Sequence, residues 1–200
     1  MQGLLPGESD SLAERAEALS FASLSLDTGD RRGLVVLGTL TGETSYWPTG
    51  ANGLVALHQE GLHATAGLPQ DLLHTRYSMH PKDSNNQGAS LEKASLEGYV
   101  PWRDATPDTF RVTRLWRTTE GLVAGGEAQG HLTCHAPTPR ELPLATLSLQ
   151  RCEQRLQWQD GSITEGTLWR DAETLRLWSV SEQPWPGAAQ FKWEVARPWW

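Results

Sequence analysis

Apolar and polar residues alternate with a period of two along much of the chain, which predicts half-buried β-strands. In Gln190-Phe191-Lys192-Trp193-Glu194-Val195, for example, Phe191, Trp193 and Val195 share one face and the polar residues the other. Trp193 is therefore expected in the core. The same alternation groups Trp116 with Phe110 and Val112, Trp158 with Leu156, and Trp169 with Ile163 and Thr167. Residues 21–26 alternate, 27–32 form a polar turn around Gly29, and 33–40 return as an apolar strand, which reads as a β-hairpin. Tyr46-Trp47 and residues 54–57 flank the turn 48–53, and Leu62, Ala64 and Ala66 alternate with His63 and Thr65. A meander of about five strands is thus expected in the first third. Further strands are predicted at 109–117, 121–126, 145–152, 168–180 and 189–197. The pair Asp160-Gly161 predicts a two-residue hairpin with Trp158 directly across from Ile163.

A few segments break the alternation. Ser11-Leu12-Ala13-Glu14 has capping-box spacing and predicts a short helix through Leu19, behind a Gly- and Pro-rich start, so residues 1–18 read as a mobile lead. Gly67-Leu68-Pro69-Gln70-Asp71-Leu72-Leu73 reads as a helix start, with Asp71 placed against the dipole. Gly125 to Gly130 reads as a turn. Residues 78–107, rich in Ser, Asn, Gly and Pro, are the candidate loop or seam between two lobes, with a short helix at 89–97. The sum is an all-β fold of antiparallel meanders and hairpins forming a barrel or sandwich, with one or two short helices. Residues 19–200 form its single domain.

Composition narrows the partners. Two hundred residues with 38% hydrophobic content suffice for a packed core. A net charge of −7, with three lysines against fourteen arginines, offers no basic stripe for nucleic acid or anionic lipid. No apolar run approaches the roughly 18 residues that cross a bilayer. The opening Met1-Gln2-Gly3-Leu4-Leu5-Pro6 lacks a basic n-region and a long h-region, so the chain reads as cytosolic or as a mature form.

Catalytic signatures are missing from the sequence: there is no Gly-x-Ser-x-Gly elbow, phosphate loop or His-Glu-x-x-His helix, and no cofactor is implied. On a strand, His131 and His135 share a face while Cys134 points away, so no metal site is expected there. Cys134 and Cys152, on neighbouring predicted strands, are either a disulfide formed in an oxidising compartment or two buried thiols. Arg111, Arg114 and Arg117 read as surface charge or ion-pair partners rather than as an anion clamp. The binding candidates are Trp102 and Trp185, from the proline-flanked set Trp47-Pro48, Pro101-Trp102, Pro184-Trp185-Pro186 and Pro198-Trp199-Trp200. Either these indoles are exposed plates for sugar rings or aromatic side chains, or they form a lid packed over the end of the sheets.

Four stretches carry a family resemblance. The run from Asn52-Gly53-Leu54-Val55 through Gly61-Leu62-His63-Ala64-Thr65-Ala66-Gly67-Leu68-Pro69-Gln70-Asp71-Leu72 resembles the strand, Gly, strand, Thr-x-Gly-Leu, helix segment of the YjbF/GfcB lipoproteins. Leu177-Trp178-Ser179-Val180-Ser181-Glu182-Gln183-Pro184 and Val195-Ala196-Arg197-Pro198-Trp199 are similar to that family's Val-Trp-x-Ser-x-Gln and closing Leu-Lys-Pro-Tyr, and Phe21-Ala22-Ser23-Leu24 to its opening Tyr-Ala-Ser-Ile. The resemblance implies a non-enzymatic outer-membrane lipoprotein facing the periplasm, accessory to assembly or export of group 4 capsule or related exopolysaccharide. It would act by binding export proteins or the polymer itself, and this chain would be the mature part without the acylated cysteine. The rival reading is a periplasmic enzyme resembling a glycoside hydrolase, in which two of the 24 carboxylates serve as acid and base.

Overall fold

The computed structural model describes residues 8–79, 98–106 and 109–200, and the expected helix at 89–97 lies outside them. The hairpin of β1 (Ser23–Asp27) and β2 (Arg32–Val36) forms as the alternation predicts, with Gly29 at φ +89° and its N–H bonded to the Asp27 carboxylate at 2.9 Å. Next, β3 (Thr39–Thr41), β4 (Thr44–Gly50), β5 (Gly53–His58) and β6 (Gly61–Ala66) make a four-stranded meander. The remaining strands are β7 (Leu72–Met79), β8 (Thr109–Arg117), β9 (Val123–Leu142), β10 (Ala145–Trp158), β11 (Ile163–Arg170), β12 (Leu177–Glu182) and β13 (Phe191–Arg197). These join β1 and β2 in a nine-stranded antiparallel sheet of order β2-β1-β13-β12-β11-β10-β9-β8-β7.

One apolar core lies between the sheets, since Trp47, Val55 and Leu57 of the small sheet cluster with Leu24, Val112, Leu168 and Trp193 of the large one. This is an all-β, sandwich-like architecture. Helix α1 (Glu8–Glu17) packs on β2 and β13 and buries Ala16, so this part of the expected mobile lead is structured. Val100 and Trp102, from the stretch expected to be a seam, are buried in the same core.

Three local readings are corrected. At 67–73 the chain makes a turn and enters β7 rather than a helix, because the Asp71 carboxylate accepts the N–H groups of Gly67 and Leu68 at 3.2 and 3.0 Å. An aspartate that folds back on the preceding turn competes with helix initiation. Gly126 and Gly130 lie within β9, not in a turn. A Cβ on Gly130 would stand 2.3 Å from the Phe110 ring, and one on Gly126 3.1 Å from Trp158. These glycines make room for core aromatics.

The third correction concerns register. Three residues, 159–161, lie inside the pair Trp158 and Ser162 that closes the β10–β11 hairpin through the Trp158 N–H to Ser162 carbonyl bond; the Gly161 N–H donates to the Trp158 carbonyl, with Gly161 at φ +84°. That is the bulged three-residue hairpin rather than the two-residue one. One extra residue turns every side chain of β11 to the other face. Ile163 therefore pairs with Gln157 and is 44% exposed, while Trp158 donates through Nε1 to Thr164. Trp169 likewise faces outward, with the Arg140 guanidinium 5.1 Å from its ring centroid.

Cys134 and Cys152 face each other across the β9–β10 ladder and are joined by a disulfide. Closing a loop of this length should contribute about 3 kcal/mol on chain-entropy grounds. Cys134→Ser/Cys152→Ser is expected to lower the thermal midpoint by about 6–12 °C, and adding reductant to that variant should change nothing further.

Candidate functional site

The junction of the two sheets is held by buried arginines. Residues 110, 112, 114 and 116 share the inward face of β8, so Arg114 enters the core. Its Nη2 donates to Glu182 at 2.9 Å and to the Tyr77 hydroxyl at 3.0 Å, and Nη1 donates to the Pro184 carbonyl. Of the two readings, Arg114 is an ion-pair partner, and a buried one rather than a surface charge. Glu60, in the tight β5–β6 turn, accepts from Arg103 at 2.6 Å and Arg176 at 2.8 Å. Burial raises its carboxyl above the ordinary value, with both guanidiniums pulling the other way. Arg170 reaches the carbonyls of Trp102 at 2.7 Å and Asp104 at 2.6 Å. Together these bonds clamp the 98–106 stretch, including a single 3-10 turn at Pro101–Arg103, over the seam.

Neither binding candidate presents a free face. Trp102 is 2% exposed, donates through Nε1 to the Gln59 carbonyl at 2.8 Å, and meets Tyr77 edge-on with centroids 5.2 Å apart. Its ring occupies the space a side chain at Gly61 would need, since a Cβ there would stand 2.1 Å away. Trp185 is 5% exposed and stacks on Trp116 at 5.5 Å. Of the two readings, exposed plates or a packed lid, both indoles take the packed one. Proline supplies the bend, and the core then takes the indole because so large an apolar surface is stabilised by burial.

Each packed indole bounds a cleft. Trp185, Leu62, Leu72 and Phe191 line an apolar cavity of about 290 Å³. On the other side of Leu62, Trp102, Tyr77 and Tyr99 line a second cleft of about 520 Å³, into which His58, His63 and His74 project from β5, β6 and β7. The His63 imidazole neighbours both of the others, with centroids 5.7 Å apart for His58 and His63 and 5.6 Å for His63 and His74. The Thr44 hydroxyl lies 3.0 Å from His58 Nδ1. Burial, then the neighbouring imidazoles His58 and His74, lower the His63 value below 6.5, with a hydrogen bond to the Thr75 backbone opposing. Burial pushes the Tyr77 hydroxyl up to about 12 and raises that of Tyr99, so both stay neutral.

This row was invisible in the sequence. Its members lie five and eleven residues apart on three strands, and only the turn lengths and registers bring them together. A pH effect follows. With its folded value lowered, His63 stays neutral while the unfolded chain takes up a proton first, so stability falls as pH drops through 6.5 toward the folded value. The loss should stay under about 1 kcal/mol for one half-buried ring. Chemical denaturation at pH 7.5 and 5.5 should show it, and His63→Gln should reduce it.

No protein-family model matches the chain, and no curated protein matches it in sequence. Its fold is similar to the crystal structure of the hypothetical lipoprotein YmcC from Escherichia coli K12, with a TM-score of 0.72 over 98% of each chain at 15% identity. At that identity the likeness is one of fold.

Proposed function

We propose that this chain is the folded domain of a lipid-anchored envelope protein, facing the periplasm from the outer membrane, that assists exopolysaccharide assembly or export by binding the polymer. The observation that carries the reading is the end-to-end fold likeness to a protein described as a lipoprotein. It coincides with lipoprotein-like motifs in matching order along residues 20–200. The chemistry of the interior agrees with binding rather than bond cleavage. Among the described residues, the two buried carboxylates, Glu60 and Glu182, are each engaged by arginine, so they brace the sheet junction instead of standing free as acid and base. The seam clefts supply apolar walls with a few polar groups, the usual composition of a ligand site. Deleting the gene in a producing strain should lower exported polymer severalfold, and the full chain with its native leader should restore it. Unchanged polymer in the deletion strain would overturn the proposal.

A further inference from the structure

Strands β9 and β10 outrun their neighbours. β8 pairs with β9 only as far as His131, and β11 with β10 only as far as Gln150, so residues 135–149 form an arm that pairs with itself. Leu149 is its one buried residue. A two-stranded ribbon is marginal in water, and the arm is anchored in three ways. The Cys134–Cys152 disulfide closes its root, Arg140 donates to Glu194 of β13, and the same guanidinium lies over the outward ring of Trp169 on β11. The arm thus bends over the outer face of the large sheet, across β11 and β12 to β13. One cleft, of about 840 Å³, lies between the arm tip at Arg140–Pro143, the outer face of β12 and β13, and helix α1. A second, of about 530 Å³, lies on the same face beside the root of the arm, from Thr133 to Glu165. Ser181 lines both, so the two adjoin as one groove.

We infer that this groove holds an extended, hydroxyl-rich strand of polysaccharide, with the arm bridging it. The inference rests on the polymer-binding reading and gives that polymer its place on the molecule. A long chain cannot enter the seam clefts whole, whereas the groove touches seven neighbouring strands, from β9 across to β2. At about 4.8 Å per strand spacing that is roughly 29 Å, room for several sugar units in a row. The walls suit such a chain. Their charges are matched among themselves, Arg151 with Glu153, Arg155 with Glu165 and Arg140 with Glu194, so a ligand need bring no net charge. Beside these pairs stand Thr133, Thr167, Ser179 and Gln190, whose hydroxyls and amide both donate and accept, as sugar hydroxyls do.

The test is binding of the full chain to the producing strain's own exopolysaccharide, immobilised on a biosensor surface, with side chains that fill the groove. Ser181→Trp, where the two clefts meet, and Thr133→Trp, at an exposed position in the second, should each weaken binding about tenfold, the loss of one or two net hydrogen bonds. Thr113→Trp, outward on β8 and outside both clefts, should leave binding unchanged. Thermal midpoints should stay with the wild type, since all three positions point away from the core. If Ser181→Trp lowers its midpoint, Thr133→Trp decides alone. The assignment is overturned if the groove variants bind as tightly as the wild type, which would leave the polymer reading standing, or if Thr113→Trp weakens binding as much as they do. Groove variants that bind polymer normally yet fail to restore export would give the groove to a protein partner instead. A wild-type chain that does not bind the polymer would remove the polymer reading, and the groove assignment with it.

Discussion

Trp185→Ala is expected to lower stability by about 3–5 kcal/mol, the usual range for removing a buried tryptophan, or about 6–20 °C in thermal midpoint for a domain of this size. The reason is its position rather than its residue type. Trp185 is 5% exposed, stacks on Trp116 with the ring planes 10° apart, and forms one wall of the apolar cavity beside Leu62, Leu72 and Phe191. Truncation would merge the vacated space with that cavity, and strands from both sheets would have to collapse together to fill it. Trp200→Ala serves as the comparison, because that indole is 39% exposed and its loss should cost less than about 1 kcal/mol. Equal midpoints for the two variants would contradict the wall assignment.

Arg114→Met should cost a similar amount by a different route. Removing one partner of a buried pair leaves the other charge unpaired, at about 3–5 kcal/mol. Here Glu182 would lose its guanidinium, while the Tyr77 hydroxyl and the Pro184 carbonyl would lose a donor. Because the cost lies in the stranded carboxylate, Arg114→Met/Glu182→Leu should be more stable than Arg114→Met alone. A double variant that simply adds two losses would show that Arg114 contributes through its other bonds instead. Urea unfolding of the three proteins gives the comparison.

These two residues also show what a single sequence reveals. Alternation over 109–117 marks Phe110 and Val112 as inward, and the same period places Arg114 with them, but an arginine in a strand is ordinarily surface charge. Its burial depends on Glu182 and Tyr77 arriving from distant strands, which no local pattern records. The strands themselves were legible wherever one face is apolar, as at Phe191–Arg197 and Thr109–Arg117. Legibility failed where a single residue decides the outcome. Asp160-Gly161 marks the hairpin correctly, yet whether two or three residues span the loop sets the face of all of β11, including Ile163 and Trp169. Pro101-Trp102 and Pro184-Trp185 were recognisable as non-strand tryptophans, but burial against Gly61 and Trp116 is a tertiary property. The histidine row lies furthest from the sequence, since three strands and two turns must all be right before its members meet.

The central claim is that the domain holds a polymer without cutting it. Size-exclusion chromatography of the producing strain's own exopolysaccharide, run with and without the purified protein, tests that claim most directly. The account predicts that protein co-elutes with polymer and that the polymer's size distribution is unchanged. Protein eluting free of the polymer, or polymer shifted to smaller sizes, would contradict it.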